Sequence, residues 1–425
     1  MRRKLKTYSR RLEIRLDLAS TSSDGGVLVV KRADERLGLT KRLASCLKDR
    51  RRNPIHSLEK MLAQRVYGIC QGWEDCNDFD VLRDDALFGL SLGSSPAPQP
   101  TLSRFENDRN HRELYGMSMA LVELFVERHR SANPQRIVID MDATDDPAHG
   151  QQEFEFFHGY YGRHCFLPLL VFCSVDGQDQ ELVGAILRPG NAHAGRRSAA
   201  ILVRLAKLLR RSFPKAEILF RADAGFALPE VYERCEALSL GYLVSLGRNE
   251  RLSLMAAPLM AESRALYAQS QEKSRHFGEL SYAAKTWDKE RRVLVKAEVM
   301  ERGENPRFVV TNLPGDPEAL YDEYCKRGDC ENRIKELKLD LLSGRTSCHQ
   351  FTANAFRLLL HAAAFVLLSE VRRSLEGTPL VRAAMGQIRL KLLKVAAQVE
   401  VTTRRVLVRM PREHPHADLL ARLLA

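Results

Sequence analysis

The stretch Arg136-Ile-Val-Ile-Asp140-Met-Asp142-Ala-Thr144 sets an apolar, β-branched run directly against two aspartates. Ile and Val at this density favour an extended chain, and residues two apart on a strand point to one face. Asp140 and Asp142 therefore share a face, with Asp142 nearer the carboxyl end, where α/β sheets collect their sites. Downstream, 166–175 and 181–187 read as strands, 197–211 as a helix, and 216–223 as a strand ending on Asp223. That helix buries Ile201, Leu205 and Leu208 and turns Arg197, Arg204, Lys207, Arg210 and Arg211 outward. An α/β layer architecture follows. Residues 242–312 read mostly as strands, and the chain turns helical from Pro317 to its end.

Upstream of Arg136 the pattern is mainly helical. Leu12, Ile14, Leu16 and Leu18 alternate, and with Ser-Ser-Asp-Gly-Gly and the run Gly26 to Val30 they predict a small hairpin. Ser57 is placed to cap a helix with Leu58, Leu62, Val66 and Ile69 on one face, stopping near Gly72. After the Pro-rich linker Gly93–Pro100 a second helix is expected from Thr101, with Ser103 and Arg104 near its start. The pair is either a helix-turn-helix that reads DNA through Arg104 or an ordinary helix pair.

Composition narrows the class. With 425 residues, 44% hydrophobic and 28% charged, the chain has room for two or three domains of globular type. No apolar run approaches the roughly 20 residues that span a bilayer, and the basic start lacks the apolar stretch of a signal peptide. The expectation is a cytoplasmic, nucleoid-associated protein with no membrane partner. Its nine cysteines include no C-x2-C pair and no nearby histidines at zinc spacing, so reduced, mostly buried thiols are expected. The net charge of +12 is concentrated at one end, where residues 1–52 hold 16 Lys and Arg against 6 Asp and Glu. Such a block is commonly a solvated face, but concentration on this scale favours a polyanion partner, because each neutralised phosphate releases a counterion.

The chemistry is concentrated in Tyr324-Cys-Lys-Arg327-Gly-Asp-Cys-Glu331-Asn-Arg-Ile-Lys-Glu-Leu-Lys338. At about 100° per residue, Tyr324, Arg327, Glu331 and Lys338 face one way on a continuous helix. A carboxylate flanked by a guanidinium and an ammonium can ligate a cation while its neighbours hold phosphates, although heptad-spaced polar residues also mark plain solvated faces. Phosphoryl transfer on DNA needs hard cations, and these need carboxylates converging from separate elements. Asp142 and Asp223, at strand ends, are the candidates to join Glu331, with Asp140 as rival to Asp142. Strand-terminal aspartates are also frequent turn formers.

Tyr-x2-Arg-x3-Glu-x6-Lys resembles the signature of insertion-sequence DDE transposases. Asp140–Gly150, Leu187-Arg188-Pro-Gly-Asn191 and Arg221-Ala-Asp223-Ala-Gly-Phe226 are similar to blocks of the subfamily called transposase DDE domain group 1, the insertion-sequence family numbered thirteen-eighty. Gln64-Arg65-Val-Tyr67-Gly68, Glu74-Asp75-Cys-Asn77-Asp78 and Thr101–Glu106 resemble its amino-terminal region. The resemblance implies an RNase H-like catalytic core at 134–241 and 313–375, a β-rich insertion at 242–312, an N-terminal helical DNA-binding and dimerisation region at 1–133, and a C-terminal helical region at 376–425. It implies Asp142, Asp223 and Glu331 as catalytic, metal-holding carboxylates for two Mg2+ ions, with Mn2+ as substitute. Tyr324, Arg327 and Lys338 become DNA contacts. It further implies a homodimer that binds terminal inverted repeats and joins them to target DNA. In the insertion, Trp287 beside Lys289, Arg291 and Arg292 either stacks on a flipped base or packs the insertion's own core. A nuclease without strand transfer and a catalytically silent DNA-binding repressor are the rival classes.

Overall fold

The structure, a computed structural model, describes residues 14–425. Eight strands, β1 (Arg136–Ala143), β2 (Leu169–Val175), β3 (Glu181–Ile186), β4 (Glu217–Ala222), β5 (Gly241–Leu246), β6 (Ser274–Tyr282), β7 (Arg291–Met300) and β8 (Arg307–Thr311), lie in one mixed sheet. Their spatial order is β6-β7-β8-β5-β4-β1-β2-β3, and the two-residue strand Gly303–Glu304 pairs with β7. β4 runs parallel to both β1 and β5, and every other pairing is antiparallel. Ile137, Val138, Ile139 and Met141 are all buried, as a strand covered on both faces requires. The expected strand-rich segment therefore continues the sheet: β5 pairs with β4, and β8, β7 and β6 extend the same edge. That segment also holds helices Glu250–Met255 and Ala257–Ser270, which the sequence reading missed. Asn249 caps the first, accepting from Leu252 N at 2.9 Å.

The helices labelled here are α1 (Val27–Leu37), α2 (Leu58–Gln71), α3 (His111–His129), α4 (Ser198–Ser212), α5 (Pro229–Ala237), α6 (Ala257–Ser270), α7 (Pro317–Cys325), α8 (Gly328–Lys335), α9 (Phe351–Arg373) and α10 (Ala417–Leu424), besides further helical segments such as Gln99–Asn107. Helices α7, α8 and α9 cover the sheet face that carries Val138, Leu170 and Phe172, whereas α4 and α5 cover the face with Ile137, Ile139 and Phe220. Helix α4 meets the sheet through Ala199, Leu202, Leu205, Ala206 and Leu209, a stripe turned slightly from the expected one. As expected, Ser57 caps α2, accepting from Lys60 N, and Gly72 ends it at φ 91°. Helix α9 is long and apolar enough to cross a membrane by length and composition, yet most of it is buried within the protein. The cysteines are unpaired, and six of the nine are buried.

Two expectations fail. Leu12 lies outside the described residues, and Gly26–Val30 starts α1 instead of forming a hairpin strand. The valines there sit on a helical face with Ala33, and Gly38 terminates the helix at φ 61°. The carboxyl-terminal region is not simply helical, because Ala397–Val401 and Val406–Arg409 form a hairpin that also pairs with Thr21–Ser22. Alternation of Ala397, Val399 and Val401 with Gln398 and Glu400 explains the strand. Between β1 and β2 a small sheet forms from Asp146–Pro147, Arg163–Phe166 and Phe156–His158.

Candidate active site

The register of β1 against β4 sets Asp140 opposite Arg221 and Met141 opposite Ala222. The next residues, Asp142 and Asp223, thus fall side by side at the carboxyl ends of two parallel strands, whose axes lie about 4.8 Å apart. Asp142 is buried; its Oδ1 accepts from Ala143 N and its Oδ2 from Arg327 Nη1, both at 2.8 Å. Burial pushes its carboxyl up to about 6, against the pull of Arg327 and with the help of the Asp223 charge. Asp223 is half-buried and caps the turn Ala224–Phe226, its Oδ1 accepting from Gly225 N at 2.9 Å. A Cβ on Gly225 would fall 2.7 Å from Ala194, so the chain can leave the strand this tightly only through glycine.

Glu331 enters from α8, its side chain 51% exposed, and accepts from Arg327 Nη2 at 2.8 Å. A single guanidinium thus forks between Asp142 and Glu331. Lys338 Nζ donates to Thr144 Oγ1 at 3.0 Å and to Asp145 O and Oδ1 at 2.8 and 2.7 Å, tying the helix to the loop after β1. Asp142, Thr144, Glu331, Lys335 and Lys338 line an open cleft of about 380 Å³. Tyr324 stays half-buried, 6.1 Å from the Tyr321 ring, against Val138, Leu219 and Leu243. The expected continuous helix is interrupted: α7 ends at Cys325, Lys326 and Arg327 form a turn, and after α8 residues Glu336–Asp340 widen into a π turn. Buried Glu336 is held there by Arg372 of α9 at 2.7 Å.

Asp140, the rival carboxylate, has no exposed surface. Arg221 grips it from Nε at 2.9 Å and from Nη2 at 2.7 Å, Gln180 adds a bond at 2.6 Å, and Arg221 Nη1 reaches Glu323 O at 2.9 Å. This buried fork locks β1, β4 and α7 together beneath the cleft. The sequence reading missed Arg221, although its place two before Asp223 puts it on the same face as the acid.

None of the remaining candidates lines the cleft. Trp287 packs edge-on against Tyr232 and Tyr282, at 5.1 and 5.6 Å between ring centroids, the arrangement that its packing alternative describes. Arg291 is buried and committed to Glu236 and Asp288, each at 2.8 Å. Arg292 is bound to Glu279 and to the Leu313 and Gly315 carbonyls. Arg104 is exposed on the helix Gln99–Asn107, bordering a separate groove with Arg51 and Arg52. Among the described residues no three His, Cys, Asp or Glu side chains already enclose an ion-sized position.

Over residues 5–425 the chain matches the family described as Transposase DDE domain group 1. No curated protein is similar enough in sequence to be matched. Among solved structures, the Mos1 mariner paired end complex with Mn overlaps at TM-score 0.18 and 13% identity, covering 40% of this chain and 58% of that one. The Mos1 transposase paired-end complex with left transposon end overlaps at TM-score 0.17 and 14% identity, covering 40% and 57%. The chain thus spans less than two thirds of either, and scores this low carry no common overall fold.

Proposed function

The chain belongs to the transposase DDE domain group 1 family, and from that premise we propose that it is the transposase of a bacterial insertion sequence, acting on terminal inverted repeats by cut-and-paste cleavage and strand transfer. The observation that carries this is the placement of Asp142 and Asp223 at the ends of adjacent parallel strands, with Glu331 drawn towards them by Arg327. The strand order β3-β2-β1-β4-β5 supports an RNase H-like core, with 242–312 as the β-rich insertion into it.

Asp142, Asp223 and Glu331 are hard oxygen donors and would hold two Mg2+ ions, or Mn2+ in their place. The donor set fits: burial and like charge disfavour the Asp142 anion, a cost that nearby positive charge relieves. Bound there, the ions would supply the Lewis acidity that activates an attacking hydroxyl and stabilises a departing oxygen. The chain's own residues do the rest. Arg221 and Asp140 fix the strand register, Arg327 aligns Asp142 with Glu331, and Lys338 holds the loop that follows Asp142. On this reading Tyr324, Arg327 and Lys338 flank the bound strand, Arg104 contacts DNA from the N-terminal region, and two copies hold paired ends in the cytoplasm, at the nucleoid.

A linear fragment carrying the element's own ends, incubated with protein and Mg2+, tests the reading. Cleavage and joining are expected from the wild type. Glu331→Gln, which keeps size and removes charge, is expected to lose both by at least about a hundredfold while end binding persists. Near wild-type cutting by Glu331→Gln would defeat the assignment. Cutting without joining would leave a nuclease, and end binding with no cutting under any divalent cation would leave a repressor.

A further inference from the structure

Five Phe, Tyr and Trp side chains are exposed among the described residues, and four of them, Phe154, Phe156, Phe157 and Tyr160, fall within seven positions of the hairpin that follows Asp142. A soluble surface gains nothing by displaying rings so densely unless something covers them. The tip is the turn Gly159-Tyr160-Tyr161-Gly162, closed by Gly162 N to His158 O at 2.9 Å, and Tyr160 there is 86% exposed. Phe157, 59% exposed, leans on His164 at 5.8 Å. The base is rigid: a Cβ on Gly190 would fall 1.8 Å from Cys165 O, so the Leu187–Asn191 segment lies directly under the strands.

The hairpin is continuous with the cleft. Its strand Arg163–Phe166 pairs with Asp146–Pro147, four residues beyond Asp142. Arg163 stands 3.9 Å from Asp145, whose other oxygen takes Lys338. Burial, and then the charges of Asp145 and Asp142, push the Tyr161 phenol up to about 12, with Asp223 adding to the rise, so the inner side of the turn lies in the field of the carboxylates. Outward, Glu155 is taken by His164 and Glu153 by Phe351 N, while Arg163 keeps more than half its side chain in solvent. Open rings with a loosely held cation and engaged acids match a nucleotide, which offers a π face and a phosphate.

We propose that the Phe156–Phe166 hairpin is a stacking platform for an unpaired base of a DNA strand entering the carboxylate cleft, with Tyr160 and Phe157 supplying the rings and Arg163 the phosphate contact. This rests on the DNA-cleaving reading given above. It moves the base-holding role from Trp287, whose half-buried ring packs against Tyr232 and Tyr282, to a segment that shares its loop with Asp142.

The test compares binding of the full chain, in Ca2+, to a fluorescent duplex with an unpaired oligo-dT fork and to a blunt duplex of equal length. Tyr160→Ala combined with Phe157→Ala is expected to weaken fork binding by about tenfold or more and leave blunt binding unchanged, while Tyr160→Trp keeps the preference. Equal weakening on both probes, or none, overturns the proposal. So does a shift of oligomeric state by light scattering with fork preference intact, which would make the hairpin a contact between copies. Both rings are exposed, so unchanged thermal melting of Tyr160→Ala checks the fold. Cleavage of the end-bearing fragment separates the two readings. Cutting without fork preference sinks only the platform, and fork preference lost in the variants without any cutting sinks only the enzyme.

Discussion

Arg327, in the turn between α7 and α8, and Arg291, on β7, are both buried arginines bonded to two carboxylates, and only the carboxylates of Arg327 line the cleft. Around Arg291 the charges close: Glu236 and Asp288 are met by Arg291 and Lys289, and the rings of Trp287 and Tyr232 lie 5.6 and 5.3 Å from the guanidinium. Around Arg327 they stay open, since Asp142 and Glu331 share one guanidinium, Asp223 adds a third carboxylate, and the group faces a cleft. What distinguishes the proposed site from scaffolding is therefore a surplus of carboxylate at an opening. Residue type and burial do not separate them. A surplus of that kind costs stability unless a cation compensates it, which is how functional sites depart from well-satisfied cores.

The largest expected effect breaks the open site. Asp142→Asn should lower single-turnover DNA cleavage by about a hundredfold to a thousandfold, while thermal stability holds or rises, because a buried, disfavoured anion is removed. Asp288→Asn, at the closed site, should leave cleavage unchanged. Equal losses in the two variants would erase the distinction between the arginines. Next comes the pair beneath the cleft: Asp140→Ala leaves the Arg221 guanidinium buried without its main partner and should cost about 3–5 kcal/mol in denaturant unfolding. Stability unchanged with cleavage abolished would instead put Asp140 in the chemistry. Smaller again, Trp287→Ala should cost about 2–3 kcal/mol, below the range of a fully buried tryptophan because the ring is half-buried. Its turnover on pre-nicked ends should match wild type. A selective loss after nicking would restore the stacking role to that ring.

The elements nearest the carboxylates were legible because their signals are local. The apolar run before Asp142, the strand ending at Asp223 and the Ser57 cap each state their own conformation within a few residues. Illegible were features decided by partners far along the chain. The Arg221 fork needs Asp140, 81 positions away. That residues 242–312 would extend the main sheet depends on β5 finding β4. Val27–Val30 has strand composition, yet its neighbours α9 and α10 bury it as a helix. The heptad stripe placed Glu331 and Lys338 on one side correctly, but it carried no sign of the turn at Lys326–Arg327 or of the π turn, which answers to Arg372 on another helix. Trp287 was ambiguous because a ring beside cations reads alike whether those cations face DNA or face Glu236.

Buried bases sharpen the comparison at its smallest scale, because a base can also be held neutral by surrounding cations. His361 of α9 has no exposed surface, its Nδ1 lies 2.8 Å from the Leu341 carbonyl, and its Nε2 has no partner. Burial, with the charges of Arg357, Arg65 and Arg389 around it, lowers its proton affinity to about 3 against an ordinary 6.5. Folded protein thus keeps the ring neutral through mild acid, while unfolded chain takes up a proton as pH falls below about 6.5. More protons bind the unfolded state in that window, so stability is lost as pH falls, by about 1 kcal/mol from this group on going from about pH 7 to about pH 5.5. His361→Leu cannot take up that proton in either state. Urea unfolding of both proteins at the two pH values should show a steeper acid loss in the wild type by about that amount, whatever the variant's stability at neutral pH. Parallel losses would mean that His361 reaches solvent or finds a counter-charge, so that the folded protein takes up the same proton in that window.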